Sequence, residues 1–84
     1  MAEPSESQRA VRKRLSDNLK RLRKDAGMSQ EDLGDCAGLH RTYVSQVERQ
    51  LVNVSLDNLV LLAEALSVDV VDILVADAAL LSRT

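Results

Sequence analysis

Hydrophobic residues recur along the chain at intervals of three and four positions, which is the period of an amphipathic α-helix. The first such stretch runs from about Gln8 to Ala26, and Gly27 after it is a typical helix stop. Its apolar positions are Val11, Leu15, Leu19, Leu22 and Ala26. Residues 1–7 are polar, contain a proline and lack this period, so we predict a flexible N-terminal tail there.

Residues 29–49 predict two short helices joined by a tight turn. The first begins after Ser29, a suitable N-cap, and Gly38 ends it with the left-handed residue that such a turn needs. The second begins near His40, which is a poor N-cap. Gly34 lies where the two helices approach most closely. This spacing is typical of a helix-turn-helix unit, whose second helix enters the major groove of DNA.

Two further apolar stretches complete an all-α architecture. Ser55 caps a fourth helix whose main apolar face is Leu56, Leu59, Val60, Ala63 and Leu66. A fifth helix is predicted from about Asp69 to Leu81, with the apolar positions Val71, Leu74, Val75, Ala78 and Leu81. Since the sequence has no strand pattern, residues 8–84 are expected to form one domain, a compact bundle of five short helices.

The fourth and fifth helices carry more apolar residues than one buried face requires. An exposed apolar patch on a small protein marks a partner surface, which here indicates a homodimer. The residues assigned to this interface are Leu61, Leu62, Val70 and Ile73. The alternative is that the small bundle buries them in its own core.

The charge of the chain is unevenly distributed. Residues 1–49 hold ten of the eleven Lys and Arg against eight acidic residues, whereas residues 50–84 hold one basic residue against five acidic ones. A molecule polarised in this way can present a basic face to DNA although its net charge is −2. The basic cluster of the first helix includes Arg14, for which we predict a phosphate contact.

Other classes of function find little support. One His, one Cys and no paired carboxylates provide neither a catalytic constellation nor a metal site, so we expect no enzyme and no cofactor. Cys36 is expected to be a buried small hydrophobe. The polar N-terminus is no signal peptide and no apolar run reaches the length of a membrane span, so we expect a cytoplasmic protein without a membrane partner. Without a separate ligand domain, no small-molecule ligand is expected.

Polar residues at the start of the second helix of the pair suit recognition of double-stranded DNA. Arg41, Ser45 and Gln46 share one face of that helix. Arg can bind guanine with two hydrogen bonds, Gln can do the same with adenine, and Thr42 can offer a methyl or hydroxyl group. The predicted base contacts are therefore Arg41, Thr42, Ser45 and Gln46.

Phosphate contacts are expected around that face. Gln30 opens the preceding helix, where backbone N–H groups favour an anion, and Asn53 precedes the fourth helix. Tyr43 and Arg49 complete the set, although a core role suits Tyr43 equally well. Arg23 and Glu48 are instead predicted to form a structural ion pair.

Residues 22–74 resemble the lambda-repressor and Cro-like helix-turn-helix family, also called the xenobiotic-response-element family. The similarity is carried by LRKDAGMSQEDL from residue 22, AGLHRTYVSQVER from residue 37 and NVSLDNLVLLAEAL from residue 53. The segment GLHRTYVSQVER is most similar to controller proteins of restriction–modification systems, which are small homodimeric autoregulators. Gly34 replaces the usual alanine of the family, and His40 stands where Asp or Ser is common.

The resemblance implies a lambda-repressor-like fold and a homodimeric regulator of transcription that binds a pseudo-palindromic operator. It implies that Gln30 binds a phosphate, that Arg41, Thr42 and Gln46 face the bases, and that the last two helices form the dimer interface. The alternative is an antitoxin-like or adaptor protein whose main target is another protein, which the apolar, acidic C-terminal half would suit.

Overall fold

The computed structural model describes residues 3–76, and these residues form five α-helices without any strand. The helices are α1 (Glu6–Asp25), α2 (Gln30–Ala37), α3 (Arg41–Glu48), α4 (Leu56–Ala65) and α5 (Val70–Leu74). The predicted all-α, five-helix architecture is confirmed. No helix within the described residues is both long and apolar enough to cross a membrane.

Helix α1 begins earlier than its apolar pattern predicted, because Ser5 and Gln8 form a capping box. The Ser5 hydroxyl accepts a hydrogen bond from the Gln8 backbone N–H at 3.1 Å, and the Gln8 side chain accepts one from the Ser5 N–H at 2.8 Å. Residues 6 and 7 therefore belong to the helix and not to the predicted tail.

Three helices end in the same backbone motif, in which a left-handed residue follows the C-cap. These residues are Gly27 after α1, Gln50 after α3 and Ser67 after α4, with φ values of 71°, 62° and 57°. After α3, the Gln50 N–H donates to the Val47 carbonyl at 3.0 Å and the Leu51 N–H donates to the Gln46 carbonyl at 2.9 Å. This Schellman motif satisfies the last carbonyls of each helix. Only Gly27 was predictable, since glycine is the usual left-handed residue.

One hydrophobic core joins all five helices. Its buried members are Leu15, Leu19, Leu33, Ala37, Val44, Val47, Leu59, Leu62, Ala63, Leu66 and Ile73. Of the apolar positions predicted in α1, Leu15 and Leu19 are buried and Leu22 is partly buried, whereas Ala26 is exposed. Val11, at 45% exposure, lies outside this core.

The buried faces of α4 and α5 differ from the prediction. Leu62 and Ile73 are fully buried in the core of the single chain, so their assignment to a dimer interface was wrong. Leu56 and Val71, assigned to the main apolar faces, are instead 77% and 65% exposed. Helix α4 is apolar on most sides, so the spacing of its apolar residues does not indicate which face is buried. Packing against α2 and α5 determines the buried face.

Helix α5 ends at Leu74, because Val75 has an extended backbone. The side-chain amide of Asn18 on α1 fixes this end by donating hydrogen bonds to the carbonyls of Ile73 at 2.9 Å and Val75 at 2.8 Å. The predicted helix does not continue through Val75. The predicted apolar positions Ala78 and Leu81 lie outside the described residues.

Candidate nucleic-acid interface

A tight turn joins α2 to α3. Gly38, the C-cap of α2, is left-handed with φ of 73°, as predicted. The Leu39 N–H donates to the Gly34 carbonyl at 2.8 Å. His40 serves as the N-cap of α3 through its Nδ1 atom, which accepts a hydrogen bond from the Thr42 N–H at 3.0 Å. The expectation that His40 caps poorly is thereby corrected, since its ring nitrogen accepts as an Asp or Ser oxygen would.

Gly34 marks the close approach of α2 to this turn. A Cβ atom at this position would lie 2.5 Å from the Leu39 carbonyl oxygen and 3.3 Å from the Arg41 backbone nitrogen. Both neighbours are backbone atoms, so even alanine, the usual residue of the family, would require the turn to shift.

The polar face of α3 is turned away from the core. Arg41 and Thr42 are exposed, and Ser45 and Gln46 are half-buried at its edge. Gln30 of α2 joins three of them around one shallow depression, whose lining is Gln30, Arg41, Thr42 and Ser45. The structure therefore brings together side chains that were predicted to contact bases and phosphate.

This arrangement matches known proteins. Residues 19–73 fit the family model described as helix-turn-helix. The chain belongs to this helix-turn-helix family. It is similar to the control protein C.SmaI of Serratia marcescens, with 42% identity over 60 residues that cover 71% of each protein.

Solved structures show the same helix-turn-helix fold. The crystal structure of the hypothetical transcription factor NHTF from Neisseria superposes with a TM-score of 0.82 at 38% identity, covering 100% of this chain and 95% of that one. The restriction-modification controller protein C.AhdI from Aeromonas hydrophila superposes with a TM-score of 0.74 at 41% identity, covering 76% and 97% of the two chains. The chain is thus a DNA-binding regulator of transcription of the helix-turn-helix type.

A buried ion pair holds the helix-turn-helix unit against α1. Arg23 donates to both carboxylate oxygens of Glu48, from Nε at 2.6 Å and from Nη2 at 3.0 Å. Arg23 also donates to the Met28 carbonyl at 2.8 Å. This pair was predicted from the sequence. Sequence reasoning missed Ser16, whose buried hydroxyl donates to the Glu48 carbonyl at 2.5 Å.

Glu48 remains ionised despite its burial. Burial raises the pKa of Glu48, but hydrogen bonds from Arg23 and Gln30, together with the charges of Arg23 and Lys20, lower that pKa below its ordinary value. The hydrogen bond to Glu48 raises the pKa of Arg23. Both groups are therefore charged at neutral pH.

Gln30 and Tyr43, predicted to contact phosphates, also have partners within the protein. The Gln30 amide donates to Glu48 Oε1 at 3.1 Å, and its second amide hydrogen remains suited to a phosphate. Tyr43 is half-buried against the core, and its hydroxyl accepts a hydrogen bond from the Asn58 amide at 3.1 Å. Nothing in the sequence pattern had singled out Asn58.

The remaining predicted phosphate contacts do not line the depression beside Arg41. Asn53 is exposed in the loop before α4 and lines a depression with Arg12 of α1. Arg14 is exposed on α1, and Arg49 is exposed as the C-cap of α3.

Cys36, expected in the core, is exposed on α2. Its position follows from the helical phase, because the adjacent Ala37 takes the buried site.

Proposed function

We propose that this helix-turn-helix protein is a homodimeric, sequence-specific regulator that binds a pseudo-palindromic operator and controls a restriction–modification system, including its own gene. The observation that carries the proposal is the cluster of Gln30, Arg41, Thr42 and Ser45 on the exposed side of α3. The 42% identity to the control protein C.SmaI supports the controller role.

In this proposal, α3 supplies specificity. Arg41 binds guanine through two hydrogen bonds, Gln46 binds adenine, and Thr42 and Ser45 complete the base contacts. Each good bidentate contact contributes about 1–3 kcal/mol of discrimination between bases. The phosphate contacts set affinity and register, and they are assigned to Gln30, Tyr43, Arg49, Asn53 and Arg14.

The homodimer is proposed to form through exposed apolar side chains of α4 and α5. Leu56 and Val60, which are 77% and 43% exposed, lie one turn apart on the same face of α4. Leu61 and Val71 are also exposed, and Val70 is partly buried. A two-fold dimer places its recognition helices about 34 Å apart, which matches half-sites separated by one turn of DNA. The protein concentration would then control occupancy in the cytoplasm without any small-molecule ligand.

The test is a gel shift with duplex DNA from upstream of the gene that encodes the chain, at about 50 and about 200 mM salt against random competitor. We expect a specific, dimer-sized shift that weakens steeply at the higher salt, because each phosphate contact releases counterions. Arg41→Ala should abolish the specific shift. The control Arg21→Ala, which removes the same charge from the exposed surface of α1, should leave the sequence preference intact.

The exposed apolar face of α4 and α5 also favours a second candidate, an antitoxin-like or adaptor protein. Residues 50–76 contain no Lys or Arg, so this face lies in an acidic half of the molecule. A monomer in solution that binds DNA without sequence preference and co-purifies with the product of an adjacent gene would support this alternative.

A further inference from the structure

Arg41 lies between two chemically different surface depressions. On one side are the neutral polar side chains of Gln30, Thr42 and Ser45. On the other side are the carboxylates of Glu31 and Asp35, which lie one turn apart on α2. A carboxylate at this place is unexpected on a surface that meets DNA, because phosphates repel it.

Glu31 is the carboxylate that pairs with Arg41. Its Oε2 atom lies 3.8 Å from Arg41 Nη1, and the two side chains are 65% and 68% exposed. So exposed a pair contributes little to folding stability. The pair can instead affect which DNA groups approach the guanidinium group of Arg41.

The two possible DNA partners of Arg41 differ in charge. A phosphate carries a full negative charge and would be repelled by Glu31, whereas guanine N7 and O6 are neutral acceptors. Glu31 therefore disfavours contact between Arg41 and the DNA phosphates, which are the same in every sequence, more than contact between Arg41 and guanine. The carboxylate also restricts the orientations available to the guanidinium group.

We propose that Glu31 is a specificity-determining residue that acts through Arg41, lowering non-specific affinity more than affinity for the operator. This inference rests on the proposed function, because it requires α3 to recognise bases. Glu31 itself need not touch the DNA. Its carboxylate sets the discrimination between a guanine and a phosphate at the position of Arg41.

The experiment uses the full chain and a duplex library with a randomised core. The best duplex selected by the wild-type protein and a scrambled duplex of equal length then serve as the two probes. Glu31→Gln should tighten binding to the scrambled duplex by about fivefold, the factor that corresponds to one unit charge at contact distance in water. It should tighten binding to the selected duplex less. The ratio of the affinity for the selected duplex to the affinity for the scrambled duplex should therefore fall.

Asp35→Asn is the matched control, since it removes the same charge one turn further along α2. It should change both affinities by the same factor and leave their ratio unaltered. In an Arg41→Gln background, Glu31→Gln should no longer change the ratio. Thermal unfolding of each variant, followed by circular dichroism, should match that of its parent protein.

Three results would overturn the inference: an unchanged ratio in Glu31→Gln, an equal fall in Asp35→Asn, or a fall that persists without Arg41. Each would leave the proposed function intact, since the wild-type protein would still prefer its selected duplex. If the wild-type protein selects no sequence from the library, the proposed function fails as well.

Discussion

At the scale of single residues, the clearest determinant of stability is the charge on Glu48. Its pKa is lower in the folded chain than in the unfolded one, so its ionisation favours folding. The resulting stabilisation is present above the ordinary pKa of a glutamate and is lost as the pH falls through the lowered pKa. Acidification should therefore weaken the link between α1 and α3.

Glu48→Gln should lower the free energy of unfolding at neutral pH by about 3 kcal/mol, because it leaves the buried Arg23 without its counter-charge. The loss should shrink on acidification, since the wild-type protein then loses the same charge. Urea unfolding from about pH 7 to about pH 3 would measure this. Glu64→Gln, on the exposed side of α4, is the control; a loss independent of pH would contradict the assignment.

Gln50 and Ser67 both adopt left-handed backbone conformations that suit glycine. Gln50→Gly and Ser67→Gly should each raise the free energy of unfolding by about 0.5–1 kcal/mol, because the strain relieved exceeds the extra entropy of the unfolded chain. Ala26→Gly is the control, since Ala26 is a right-handed C-cap and should lose stability on this change. Thermal unfolding distinguishes the three variants. Destabilisation by all of them would show that the left-handed residues are unstrained.

At the scale of helices, α5 depends on a contact that is distant in sequence. The amide of Asn18 donates to two carbonyls at the end of this five-residue helix. A helix of this length is not stable alone, so packing against α1 and this pair of hydrogen bonds determine where it lies.

Asn18→Ala should lower the free energy of unfolding by about 1–3 kcal/mol, because two carbonyls lose their donor. Asn18→Asp keeps the shape of the side chain but donates no hydrogen bond when ionised, so it should be at least as destabilising. Hydrogen exchange followed by NMR should show that, relative to the wild-type protein, these variants accelerate exchange of the α5 amides more than exchange of the α2 amides. Equal acceleration in both helices would indicate that Asn18 is not the anchor.

At the scale of the whole molecule, the two halves of the chain differ in charge and in exposed apolar surface. Helices α1 to α3 carry most of the basic residues and the polar face of α3, whereas α4 and α5 expose large apolar side chains among acidic ones. In the proposed function, the first surface binds DNA and the second binds another copy of the chain. Because the helix-turn-helix unit lies on the same core as α4 and α5, dimerisation would fix the spacing of two recognition helices.

Leu56→Glu combined with Val60→Glu should shift the proposed dimer to monomer while the monomer stays folded, since both side chains are exposed. Sedimentation would measure the dissociation constant, and operator binding should weaken in parallel. Leu51→Glu changes a residue of the α3–α4 loop that is 58% exposed, and it should leave the dimer intact. Dissociation caused by this control alone would place the interface at the loop instead.

The helix-turn-helix unit could be predicted from local sequence alone. The apolar spacing, Ser29, Gly34 and Gly38 act over three or four positions, so local geometry predicts them. The pairing of Arg23 with Glu48 could also be inferred, because the position after the buried Val47 directs Glu48 towards α1. The early start of α1 is likewise encoded locally, by the capping-box pair Ser5 and Gln8, which lies outside the apolar pattern.

Which sides of α4 and α5 are buried depends on how the helices pack together. Leu56 and Leu62 are equally hydrophobic, and the choice between them depends on how α2 and α5 pack against α4. The hydrogen-bond partners of Gln30 and Asn18 could not be predicted either. The partner of Gln30 lies 18 positions away and those of Asn18 lie at least 55 positions away, and contacts so distant in sequence leave no periodic signal. Local spacing specifies helices and caps, whereas the relative placement of helices specifies which polar groups meet.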